Sequence, residues 1–143
     1  MKQLAMGIHA AEDGLLTLGW VLTDIDTGGA DAHETGQLGL CSHACHHSRQ
    51  RFLEVLVLAG CVVCHDAKDT AAKVSQVPGV PDLNSLSVPL HDINDFVLGD
   101  DLVSLYRTLF GRNPENPCTA LGIAWMVYRC HKHIQSLTQR MTR

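Results

Sequence analysis

Apolar positions recur along most of this chain at spacings that predict helices. In residues 2–22, Leu4, Ile8, Leu15, Leu18 and Val21 share one broad helical face, which Gly7 and Gly14 weaken. Residues 23–39 are polar and glycine-bearing, the pattern of a loop. Phe52, Leu56, Val63, Ala67, Ala71 and Val74 recur at intervals of three, four or seven, and Val55, Leu58 and Val62 widen that stripe. They predict one helix over 48–74 with Ser48 at its N-cap. The run Leu53 to Leu58 is dense in apolar residues and would also suit a buried strand, but the continuing pattern favours helix.

Pro78, Pro81 and Pro89, with Gly79, make 75–90 a connector, because prolines so closely spaced cannot sit inside a helix. Leu102, Leu105, Tyr106 and Leu109 then predict a helix over 100–110, starting as early as Asp92. Asp100 is its expected cap, and Gly111 followed by Pro114 is its stop. A last helix starts with Asn116 as cap and Pro117 in the first helical position. Leu121, Trp125, Tyr128, Ile134, Leu137 and Met141 mark its apolar face. Arg129, Lys132, Arg140 and Arg143 place positive charge where the helix dipole favours it. The expected fold is all-α: a small irregular bundle of four or five helices with a Pro-rich connector at 75–90. Residues 1–143 form a single domain, with 1–47 a more loosely packed segment.

Composition narrows the classes. A chain of 143 residues, 45% hydrophobic and 18% charged, has enough apolar surface to fold as one domain. A net charge of −4 argues against nucleic acid and against an anionic membrane surface as partners. No apolar run approaches the ~20 residues of a membrane span. Residues 1–32 carry weak leader-like features, with Lys2 ahead of the apolar run Gly14–Leu22 and a small-residue site at Ala30-Asp31-Ala32. Glu12 and Asp13 oppose that reading, so the expected location is cytoplasmic with reduced thiols.

Candidate chemistry concentrates between Cys41 and His65. Four cysteines (Cys41, Cys45, Cys61, Cys64) and four histidines (His43, His46, His47, His65) fall within 25 residues. Thiolate and imidazole are zinc ligands, and 15 residues separate the two cysteine pairs, near the spacing of paired zinc knuckles. The leading expectation is a non-catalytic domain in which Cys41, Cys45, Cys61 and Cys64 hold one structural zinc, with His43, His46 and His65 as substitutes. The plainer alternative is that Cys61 and Cys64 are small buried hydrophobes.

Cys61-Val62-Val63-Cys64-His65 also resembles the haem-attachment motif of c-type cytochromes, and Val77–Leu83 resembles the proline-bearing loop that often follows it. The resemblance covers about 35 residues. It implies a mono-haem electron carrier with Cys61 and Cys64 as thioether sites and His65 as proximal ligand. Met126, or His91 in its place, would be the sixth ligand. Cys-x-x-Cys also occurs as a redox pair, but that needs a strand–helix setting in a βαβ unit.

Other patterns are weaker. Asp24-Ile-Asp26-Thr-Gly28-Gly29 starts like a calcium loop, but Glu34 falls one position short of the required bidentate ligand. His131 and His133 diverge on a helix and cannot chelate together. Cys118 and Cys130 read as core or boundary residues. Neither a nucleophile elbow nor a phosphate-binding glycine loop is present, which favours a non-catalytic chain. A cofactor-free structural or interaction protein with a protein partner, or a chain with no evolved function, completes the set of readings.

Overall fold

The computed structural model describes residues 1–24, 32–40, 45–95 and 101–141. Their elements are β1 (Lys2–Ala10), β2 (Leu16–Asp24), β3 (Ala32–Gly39), α1 (His46–Leu58), β4 (Cys61–Cys64), α2 (Ala67–Val74), β5 (Leu90–Asp92), α3 (Leu102–Phe110) and α4 (Ala120–Met141). The strands form one mixed sheet in the order β3-β2-β1-β4-β5. β1–β2 and β2–β3 pair antiparallel, β1–β4 and β4–β5 parallel. The fold is therefore α/β, and the expected all-α bundle is overturned.

The main misreading falls on residues 2–24. Leu4, Met6 and Ile8 alternate with Ala5 and Gly7 in β1; Leu18, Trp20 and Leu22 alternate with Gly19 and Val21 in β2. Both faces of these strands are covered by helices. Burial on two faces makes a strand almost continuously apolar and hides its period of two. The hairpin between them turns at Gly14, whose φ of +84° suits glycine, and Asp13 accepts the N–H of Leu15 at 3.0 Å.

The second misreading is the single helix over 48–74. Its stripe residues Phe52, Leu56, Val63, Ala71 and Val74 are all buried, but on three different elements. α1 ends at Leu58, and Gly60 donates its N–H to the Lys2 carbonyl at 2.7 Å. A Cβ at Gly60 would collide with the Met1 side chain, so glycine admits the chain to the sheet there. Val62 and Val63, β-branched, then extend as β4.

The sheet is sandwiched between two helical layers. On one face Leu4, Met6, Leu18, Trp20, Leu22 and Val62 meet Phe52, Val55 and Leu56 of α1 and Ala71 and Val74 of α2. On the other, Ala5, Val21 and Val63 meet Leu105 and Tyr106 of α3 and Ala124, Val127 and Cys130 of α4. α4 lies very close to the sheet, because Gly7 and Gly19 face each other across β1–β2 and leave room for its backbone. That contact chooses the buried face of α4: Ala120, Ala124 and Val127 turn inward, while the expected face residues Leu137 and Met141 are exposed. No helix among the described residues is long and apolar enough to cross a membrane.

Candidate functional site

Among the described residues, the cysteines and histidines of the segment do not converge. Cys61 and Cys64 open and close a four-residue strand, and side chains alternate along a strand. Cys61 pairs with Gln3 and shares its face toward α4; Cys64 lies with Val62 on the α1/α2 side. The sheet stands between the two sulfurs. His65 follows the strand, and Cys45 is exposed just ahead of α1. His46, the first residue of α1, has its Nδ1 3.2 Å from an Arg49 nitrogen. Cys41 and His43 lie outside the described residues, as does all of the calcium-like turn Asp24–Gly29 after Asp24.

Among the described residues no group of three or more His, Cys, Asp and Glu side chains is placed to hold a metal ion, which corrects the metal-binding expectation. Burial raises the pKa of Cys61 and pushes Cys130 up to about 12. Cys45 is shifted down, by the N–H groups of Ser48 and His47 and the Ser48 hydroxyl. For the haem reading, Cys61 and Cys64 would have to reach one macrocycle from opposite faces of the sheet. Met126 is buried in α4, and His91 lies on β5 against His131, their ring centroids 5.7 Å apart.

The structure instead opens a cleft where β4 stops and β1 continues. β1 pairs with β4 only through Gln3, Leu4 and Ala5. Met6, Gly7 and Ile8 run on past the end of β4 and line a cavity of 620 Å³. Met6 and Ile8 on the α1/α2 face of the sheet, and Leu102, Ile123, Met126 and Val127 on the α3/α4 face, give it apolar walls on either side of the β1 edge. His65, Asp66, Asp69 and Lys73 stand on the α2 side, and Asp101, Ser104 and Arg107 on the α3 side. The chain also diverges here. β1 leads left to β2, whereas β4 leads through α2 to β5 on the right. The crevice beyond the carboxyl ends of parallel strands at such a divergence is the usual ligand position in open α/β sheets.

No family model and no curated protein matches this chain.

The charges of the cleft are set by helix ends. Asp66 adopts φ 62° and ψ 77°, a left-handed conformation unusual outside glycine, and its carboxylate accepts the Asp69 N–H to cap α2. Asp92, at the end of β5, holds that turn by accepting the N–H groups of Asp66 at 3.0 Å and Ala67 at 2.8 Å. Asp101 caps α3 through the Ser104 N–H at 2.8 Å. That bond holds its carboxyl below the usual carboxylate range, the wrong direction for a general acid at neutral pH. Asp69 pairs with Lys73 at 2.7 Å. Arg107 donates from Nε to the neutral Asn113 Oδ1 at 2.6 Å.

Of the residues singled out from sequence as zinc or proximal haem ligands, the cleft includes only His65; Met126, the expected axial methionine, lies in one of its walls. The signal that was there to find is Val62–Asp66: an apolar strand ending in polar residues just before a capped helix. It reads as a ligand-binding turn only once β4 is known to be a strand. A second, smaller groove of 350 Å³, lined by Leu53, Leu56 and Val57 of α1 and by Pro81, Leu86 and Val88 of the connector, is almost wholly apolar.

Proposed function

We propose that this chain is a binding module that takes a small organic molecule in the cleft at the carboxyl ends of β1 and β4. The observation that carries the reading is the overrun of β1 past β4. It gives a cavity of 620 Å³ apolar walls, a β1 edge that has no neighbouring strand there among the described residues, and a polar rim from two helices. That size and that mix suit a drug-sized ligand. Binding is favoured over catalysis because Asp66, Asp69 and Asp101 are committed to caps or an ion pair. The zinc and haem readings have less support, since Cys61 and Cys64 lie on opposite faces of the sheet.

The test is a screen of small organic fragments against the ¹⁵N-labelled chain by two-dimensional NMR. Shifts are expected to cluster at Met6–Ile8, His65–Thr70 and Ser104–Arg107. Val103→Trp, which fills the cleft from α3, is expected to abolish them while the rest of the spectrum stays native. A screen whose shifts cluster instead around Leu53 and Val88, or nowhere, overturns the proposal.

A further inference from the structure

The charges around the cleft are unequally satisfied, and the inequality names a ligand class. Asp66 is bonded by the Asp69 N–H, Asp69 by Lys73, and Asp101 by both the N–H and the hydroxyl of Ser104. Lys73 is neutralised by that same Asp69. Arg107 differs: its Nε bond is to an uncharged amide, and among the described residues no carboxylate lies within ion-pair distance of it. Asp101 lowers the energy of that guanidinium only through space. Asn113 fixes the plane of the group by one edge and leaves its two Nη nitrogens to form a fork.

A guanidinium fork matches the two oxygens of a carboxylate or a phosphate. The three nearby aspartates discriminate between these, because a dianionic phosphate meets twice the like-charge repulsion of a monoanion. On the α3/α4 side, where Arg107 stands, the cleft is lined by the apolar Leu102, Ile123, Met126 and Val127. The geometry points to an amphipathic monocarboxylic acid as the ligand, its carboxylate on the Nη edge of Arg107 and its hydrocarbon body between those side chains and the Met6–Ile8 edge of β1. This rests on the cleft being a binding site, and it specifies what the site selects.

The experiment titrates the full chain with octanoate, octylamine, octanol and octyl phosphate, all below their aggregation limits, following the Met6–Ile8 amides. Octanoate is expected to bind about tenfold more tightly than octylamine or octanol, the size of one charged hydrogen-bonded contact. Arg107→Gln should remove that advantage, and Arg107→Lys, which keeps the charge and loses the fork, should retain part of it. Arg107 is exposed, so both variants should keep the native circular-dichroism spectrum and melting temperature. Arg49→Gln on α1, remote from the cleft, should leave all affinities unchanged.

Equal or tighter binding of octylamine, octanol or octyl phosphate overturns the carboxylate assignment, as does octanoate binding that survives Arg107→Gln. Those outcomes leave the cleft itself standing. Failure of all four probes also overturns the assignment, and the fragment screen then decides separately whether the cleft binds anything.

Discussion

His131 is a base enclosed in an apolar seam. It is 2% exposed on α4, its Nδ1 is 3.3 Å from Gln3 Nε2, and His91 faces it from β5. Desolvation, with the His91 charge second, lowers its pKa to about 4. In the unfolded chain it titrates near 6.5. As pH falls through that value the unfolded state takes up a proton that the folded state refuses, so stability drops until about pH 4. The expected loss between pH 7 and pH 4 is about 3 kcal/mol from this group. Urea unfolding of His131→Gln should lack that part of the slope; an identical slope in the variant would refute the assignment.

Thr23 pairs with Gln3 on the same face of the sheet, and its buried hydroxyl has no hydrogen-bond partner among the described residues. Thr23→Val keeps the β-branched shape and removes the unsatisfied group. It is expected to raise stability by about 1 kcal/mol, readable as a higher urea midpoint. Neither residue was legible from sequence. Thr23 falls at the start of a stretch that looks like a loop, and the burial of His131 depends on which face of α4 meets the sheet.

At the scale of elements, the decisive contact is the crossing of α4 over Gly7 and Gly19. A Cβ at Gly7 would lie 2.5 Å from the Ala124 backbone nitrogen, and one at Gly19 would meet the Ala120 backbone. Backbone cannot step aside as a flexible side chain can, so Gly7→Ala is expected to cost about 2 kcal/mol or more through overpacking. Gly14→Ala, in open space but at positive φ, should cost about 1 kcal/mol. Equal losses in the two variants would show that α4 does not lie where the glycines place it.

Element boundaries were most legible where capping chemistry is local. The α3 region ends at Gly111 in the left-handed conformation as expected, and its cap is Asp101, one residue beyond the expected Asp100. α4 starts at Ala120, after the expected Asn116 and Pro117, with the Thr119 hydroxyl accepting the Gly122 N–H at 3.0 Å. The strands were not legible, because burial on both faces hides the period of β1 and β2, and β4 is a short strand whose partners are distant in the chain.

At the scale of the whole molecule, the sheet separates groups that sequence spacing brings together. If Cys61 and Cys64 occupy different cores, their truncations are independent. Cys61→Ala and Cys64→Ala should therefore sum in the double variant to within about 0.5 kcal/mol. A shared zinc or haem would make the two losses strongly non-additive. Excess chelator is likewise expected to leave the melting temperature unchanged, whereas a metal-coupled fold would unfold.

By itself the sequence determined which residues are apolar enough to be buried, that the prolines of 75–90 interrupt helix, and that helices lie near 100–110 and 117–141, which form as Leu102–Phe110 and Ala120–Met141. Those properties depend on composition and on neighbours within a few turns. Only the tertiary structure decided that residues 2–24 are strands, since burial on both faces erases their alternation. It alone decided that Cys61 and Cys64 part company, since side-chain direction follows from a strand period that the apolar run conceals. The cleft was equally out of reach, because it exists only where β1 overruns β4. That register is set by pairing between segments far apart in the chain.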